Sequence, residues 1–385
     1  MTAKGPWTDH FGDNFLWSNA TLILKGMAPY GVVALEEMDR VCERLKVRQH
    51  EPHAWQEEWG AMGMLIEHRA DELTAQGRKI TAGDYYLRAG NYHYNAERFI
   101  MPGEEKREWA RKAYRCWHAG IKLRYPNIEF VEVPYEGVML PALFMKAQGA
   151  AGRAPTVVIV NGMDNAKEMS IFFAGLEFAR RGFNTLAMDG PGQGESLRIR
   201  GIHSRYDYEA PGAAAYDYVS QRSDVDPKRV AIMGYSFGGY YSSRIAAFEK
   251  RYAACIALSA LHWDLAGWQM RIKEKNKSAP KSVAQSNFQF QWVVNAKTPD
   301  EAIEIAKKFS LKDVAKNITC PFLVTHGGND RVVPVENAPK LYEAVGSKNK
   351  TIKIFSAEEG GAEHAHVDNR QIGIDFAADW LAENM

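Results

Sequence analysis

The sequence predicts an α/β protein, a mostly parallel sheet with helices on both faces, preceded by an all-helical segment. Three observations predict it. From Thr156 onward, short apolar runs alternate with helical stretches, as strands buried on both faces do. Before Pro126 no strand pattern occurs, and aromatic and aliphatic residues recur near helical spacing. Third, Met233–Tyr241 reads MGYSFGGYY, with an apolar strand before it and a helical stretch after it. Gly234-Tyr235-Ser236-Phe237-Gly238 has the G-x-S-x-G spacing of a nucleophile elbow, a sharp strand-to-helix turn that lifts a serine hydroxyl above a sheet.

The helical segment covers residues 1 to about 125. Ala54 to Gln76 is a long helix with Trp55, Trp59, Met62, Leu65, Ile66 and Leu73 near helical spacing. Thr81-Ala82-Gly83-Asp84 opens a second, running to Phe99, whose aromatic residues surround it rather than form one stripe. Met101-Pro102-Gly103 breaks that helix, and Glu104 to Leu123 is a third. A helical core is the favoured reading of these aromatic residues over a pocket wall, though both can hold.

Residues 126–385 form the second domain. Ile128–Val133 alternates apolar and charged residues, Glu136-Gly137 is a turn, and Val138–Met145 follows, so the pair forms an antiparallel hairpin at a sheet edge. The further strands are Thr156–Val160, Phe183–Met188, Arg229–Met233, Ala254–Ser259, Pro321–Thr325 and Thr351–Phe355. Between Ser259 and Pro321 lie about sixty residues, where a parallel crossover needs about a dozen. This excess, residues 263–318, is read as a helical insert that joins the N-terminal helices in a cap. Such an insert belongs at the C-terminal strand ends, where ligands of open α/β sheets bind.

The totals exclude several function classes. Of 385 residues, 46% are hydrophobic and 25% charged, ordinary values for a globular protein. A net charge of +1 gives no reason to expect nucleic acid or an anionic membrane as a partner. Cys42, Cys116, Cys255 and Cys320 lie far apart, without zinc spacing, and read as buried free thiols. The opening MTAKGPWTDHFGDNF lacks the pattern of a signal peptide, and no apolar run approaches the length of a membrane span, so a cytoplasmic protein is expected.

A serine hydroxyl becomes a nucleophile when a base takes its proton and a third group orients that base. Downstream of Ser236 the chain offers both. Asp330 follows the strand Pro321–Thr325 in HGGNDRVVP, at the strand end where an orienting carboxylate belongs. After the last strand comes Glu359-Gly360-Gly361-Ala362-Glu363-His364-Ala365-His366, a Gly-rich loop that can carry a base to the serine. His364 is the first choice and His366 the reserve, while His326 reads as structural. For the oxyanion, Phe237 N–H is one donor, and the loop Asn161-Gly162-Met163-Asp164-Asn165 supplies the other, from Met163 or else Asp164. The loop DGPGQGES, Asp189–Ser196, lacks both the lysine of a P-loop and the third glycine of a dinucleotide motif, so it is not read as a phosphate site.

With GYSFGG, DGPGQGES, HGGNDRVVP and GGAEH in place, the chain resembles the α/β-hydrolase superfamily. The helical segment with YYLRAGNYHYNAERF narrows the resemblance to 2,6-dihydroxypseudooxynicotine hydrolase and its relatives, among them fungal polyketide chain-shortening hydrolases and FrsA-type esterases. The resemblance covers nearly the whole chain and implies an α/β-hydrolase fold with a helical N-terminal lid and a homodimer. Its serine maps onto Ser236, its acid onto Asp330 and its histidine onto His364, and Asn161 stands where His or Gly is more usual. It implies hydrolysis of a C–C bond beside a ketone in a small molecule, without cofactor or metal. Ester or lactone hydrolysis is the alternative, and a catalytically silent binding module is the reading from another class.

Overall fold

The computed structural model of the chain describes residues 7–12, 14–276 and 288–385. It divides into two compact units: residues Met1–Ile128 with Arg271–Gln289, and residues Glu129–Met270 with Phe290–Met385.

The first unit is built from α1 (Phe15–Lys25), α2 (Leu35–Lys46), α3 (Ala54–Ala75), α4 (Lys79–Ala96) and α5 (Glu104–Arg124). Its aromatic residues form the core: Trp17, Trp55, Trp59, Tyr92 and Trp117 are all buried. Rings fit against glycines of the neighbouring helix. A Cβ on Gly60 would lie 2.3 Å from the Trp109 ring, and one on Gly90 2.5 Å from the Trp117 ring. Helix α4 therefore carries large residues on several faces because α3 and α5 both close upon it. It also starts five residues before the Asp84 expected from sequence. Gly83 lies inside the helix, where Leu123 and Arg124 of α5 pack on it. Overpacking a close-packed core costs about 1–3 kcal/mol. Gly90→Ala should therefore lower the urea midpoint clearly, and an unchanged midpoint would mean that Trp117 can move aside.

The second unit contains an eight-stranded sheet: β1 (Ile128–Tyr135), β2 (Val138–Met145), β3 (Ala154–Val160), β4 (Asn184–Met188), β5 (Val225–Tyr235), β6 (Ala254–Leu258), β7 (Phe322–Gly327) and β8 (Lys350–Phe355). The spatial order is β1-β2-β4-β3-β5-β6-β7-β8. Only the hairpin end departs from parallel pairing, with β2 antiparallel to β4. The hairpin turn has positive φ at both Glu136 (42°) and Gly137 (83°), which matches the twist of the flanking strands. Strands β4 and β6 are buried throughout, as expected for strands covered on both faces, whereas the edge strand β8 is only half-buried.

From β3 the chain steps to β4 on one side, then returns to place β5 on the other. The strand order thus reverses between β3 and β5, whose C-terminal ends open the crevice where open α/β sheets bind ligands. Val160 pairs with Gly234 there, so the loop after β3 and the turn after β5 emerge side by side.

The described residues of the stretch 263–318 fall into both units. Of these, 271–276 and 288–289 group with the N-terminal helices, while 263–270 and 290–318 group with the sheet. Phe290, Val293, Ala302, Ala306 and Phe309 are buried in the core of the sheet unit. The helix expected from Asp300 runs over Pro299–Ala306, with the Thr298 hydroxyl accepting from Glu301 N–H. The remainder of the stretch, 277–287, lies outside the described residues.

Candidate active site

Strand β5 ends at Tyr235 and the helix Phe237–Phe248 starts two residues later, with Ser236 alone between them at φ 55°, ψ −124°. The reversal is so tight that only glycine fits at the flanking positions. A Cβ on Gly234 would lie 1.9 Å from the Gly238 carbonyl oxygen, and one on Gly238 2.4 Å from that of Val160. Ser236 N–H donates to Leu258 O at 2.7 Å, fixing the turn to the end of β6.

The loops after β7 and β8 bring two further side chains to this turn. His364 Nε2 lies 2.8 Å from Ser236 Oγ, and His364 Nδ1 lies 2.7 Å from Asp330 Oδ2. A carboxylate only accepts, so Nδ1 carries the proton and Nε2 is left to accept from the serine hydroxyl. The Asp330 side chain is buried, and its Oδ1 accepts from Val332 N–H and Val333 N–H, each at 2.8 Å. Burial alone would raise this carboxyl. The neighbouring His364 and His326, which both hydrogen-bond to it, outweigh burial and hold the group well below the ordinary carboxylate range.

His366, the reserve choice, does not meet Ser236. Its Nδ1–H donates to Gly361 O at 2.6 Å and its Nε2 accepts from Thr325 Oγ1 at 2.8 Å. Burial pushes its imidazole down to about 4, so it is neutral at pH 7. The two histidines diverge because Ala365 and His366 both take positive φ, 49° and 58°. His326 is buried with Nε2 3.2 Å from Val333 O and 3.3 Å from Asp330 Oδ2, so it buttresses the acid.

Other contacts that sequence reasoning missed hold the loops bearing Asp330 and His364 in place. Arg331, next to Asp330, pairs with Glu363, next to His364, at 3.0 Å. Asn329 N–H donates to Ala362 O at 2.8 Å. The Asp368 carboxylate accepts from Ala362 N–H and Glu363 N–H. Trp268 Nε1 donates to Val332 O at 3.0 Å, tying the start of the helix Leu265–Asn276 to the acid loop.

On the oxyanion side, Phe237 is the first residue of its helix, where N–H groups have no intrahelical acceptor. Gly162 lies against the serine: a Cβ there would be 3.3 Å from Ser236 Cβ. Met163, the next residue, is buried.

For metal ligands, Glu67, His93 and Cys116 in the helical unit bring one ligand atom each within 4.8 Å of one another. Their bonding is already of another kind. Glu67 accepts from His93 Nε2 at 2.8 Å and also from Arg115, while burial pushes the Cys116 thiol up, away from the thiolate a metal needs. No helix among the described residues is long and apolar enough to cross a membrane.

The sequence profile of the prolyl oligopeptidase family matches residues 174–385, more than half of the chain. The chain belongs to the prolyl oligopeptidase family. This prolyl oligopeptidase family member is similar to the hydrolase LUC6 of a Fusarium species, 29% identical over 383 residues, covering 90% of this chain and 91% of the relative. It is also similar to the 20-hydroxy-prefusarin hydrolase FUS2 of Gibberella moniliformis, 28% identical over 384 residues with coverage of 90% and 91%. The solved structure of 2,6-dihydroxy-pseudo-oxynicotine hydrolase shares the fold, with a TM-score of 0.75 at 23% identity, over 93% of this chain and 95% of that one. The family member described here therefore has the α/β-hydrolase fold and is a hydrolase of that family.

Proposed function

We infer that the protein is a serine hydrolase acting through an acyl-enzyme on a small carbonyl compound. The observation that carries the reading is the unbroken chain of contacts from Ser236 Oγ to His364 and on to Asp330, set on a strained turn. Ser236 attacks the carbonyl carbon and His364 takes its proton. Asp330 holds the imidazole and stabilises the imidazolium, and the N–H groups of Phe237 and Met163 receive the oxyanion. Water then repeats the sequence on the acyl-enzyme, with His364 as its base.

Asp330→Asn tests the acid. An amide at this place can present a donor to Nδ1 and turn the ring into the wrong tautomer, so kcat should fall by about 10⁴-fold. Steady-state rates at saturating substrate measure this, and a loss smaller than about tenfold would remove Asp330 from the role.

The bond proposed is a C–C bond beside a ketone, and it rests on the resemblance to C–C and polyketide hydrolases. Here the leaving group is a carbanion. A second carbonyl delocalises that charge as an enolate, and the His364 imidazolium supplies its proton. The substrate is therefore a 1,3-dicarbonyl or an equivalent ketone-bearing aromatic compound. An aryl 1,3-diketone should be cleaved with a higher kcat/KM than short p-nitrophenyl esters. Rapid ester turnover with no diketone cleavage at several chain lengths would make the protein a carboxylesterase or lactonase. A protein that takes no label from a serine-directed fluorophosphonate would be a binding module.

A further inference from the structure

Asp189, the first residue of the DGPGQGES loop, is fully buried at the end of β4. Its Oδ1 accepts from two groups six residues apart in sequence, Asn161 Nδ2 and Lys167 N–H, each at 2.7 Å. Those two residues are the first and last of the segment that carries Gly162 and Met163. Its Oδ2 accepts from Glu195 N–H at 2.8 Å and from Lys167 Nζ at 3.3 Å. The approach is so close that a Cβ on Gly194 would fall 2.2 Å from the carboxylate.

The two ends of the segment are held by further bonds. Asn161 Nδ2 also donates to Met188 O at 3.2 Å, Asn161 O accepts from Gln193 Nε2, and Asn161 Oδ1 accepts from Ser170 Oγ at 2.5 Å. Ser170 Oγ lies in turn 2.8 Å from the hydroxyl of Tyr235, the residue before the serine. At the other end, Lys167 Nζ reaches Glu168 at 2.8 Å and Glu195 at 2.7 Å. Burial alone would lower the Lys167 ammonium, but the three carboxylates around it hold it charged. Leaving such a charge unpaired in the interior is strongly destabilising, so the lysine end cannot drift.

We propose that Asp189 is a positioning residue for the oxyanion donors: one carboxylate oxygen closes the 161–167 segment at both ends and so fixes the Met163 N–H beside Ser236. This role rests on the serine mechanism inferred above. An oxyanion donor acts by being aimed before the charge appears, and losing one costs about 10²- to 10³-fold in kcat. Without this shared acceptor each end keeps only its separate bonds, and the segment between them loses that aim without losing substrate contacts.

The test uses the full-length protein, p-nitrophenyl acetate as substrate and a fluorophosphonate as probe. Asp189→Ala should lower kcat by about 10²-fold, leave KM within about threefold, and slow phosphonate labelling in parallel. Asp189→Asn keeps Oδ1 as acceptor for both ends and should recover at least about tenfold of that loss. Equal losses in the two variants would assign the effect to the charge or to the Oδ2 contacts with Glu195 and Lys167 Nζ, and would overturn the Oδ1 clamp. A variant that melts earlier but turns over at the wild-type rate per titrated active site would make Asp189 structural only. If Asp189→Ala does not fold, Asn161→Ala carries the test. It frees one end, leaves the Asp189–Lys167 contacts in place, and should lower kcat at least about tenfold, while wild-type turnover in it would overturn the proposal. A wild-type protein that takes no label overturns the serine mechanism and this role with it. Labelling of wild type and Asp189→Ala at one rate overturns the role of Asp189 alone.

Discussion

The Ser236→Ala variant should fold normally and lose about 10⁶-fold in kcat. The expected size follows from what the hydroxyl would do. Without it no covalent intermediate forms, and what remains is the oxyanion hole and substrate binding acting on water, a residual about 10³- to 10⁴-fold above the uncatalysed rate. The fold should be spared because alanine is the smaller side chain and meets the same backbone strain, so stability should stay within about 0.5 kcal/mol. The wild-type protein should gain the mass of one fluorophosphonate adduct on the peptide containing Ser236, and the variant should gain none. Retention of more than about a tenth of wild-type turnover would show that another group attacks the carbonyl.

His364→Ala should lose kcat on the same scale, about 10⁶-fold, because a nucleophile and its base act as a unit. His366→Ala should stay within about tenfold per folded molecule, since its ring neither reaches Ser236 nor titrates near neutral pH. Its loss should appear in stability instead. Gly361 O and Thr325 Oγ1 would each lose a buried partner, at about 1–3 kcal/mol for a group left unsatisfied. Kinetics and urea melts on both variants separate the two histidines. A catalytic collapse in His366→Ala with a mild effect in His364→Ala would reverse their roles.

These two residues also mark where the sequence was legible. All eight strands could be read from it, the inner ones because a strand buried on both faces must be a short apolar run between breakers, and β1 because its apolar and charged residues alternate. The loops bearing Ser236, Asp330 and His364 were legible for a related reason: each follows a strand end, where a side chain can stand above the sheet. The choice between His364 and His366 was not, because it turns on positive φ at Ala365 and His366, which neither residue type announces. The part of Asp189 was not legible because Asn161 and Lys167 lie on a separate stretch that only the fold brings against the Asp189–Ser196 loop. The 263–318 stretch was legible only in part. Its aromatic residues suit a cap and a core equally well, and Phe290 and Phe309 went to the core.

The backbone at Ser236 carries a different kind of information. A residue with a Cβ held at φ 55°, ψ −124° costs about 1–3 kcal/mol, a cost that glycine would largely escape. Replacing this serine with glycine is therefore downhill for the fold. Under selection for thermodynamic stability alone, a lineage would drift to glycine at this position and remain there. A serine at this position therefore costs the fold stability that only a use for its hydroxyl would offset.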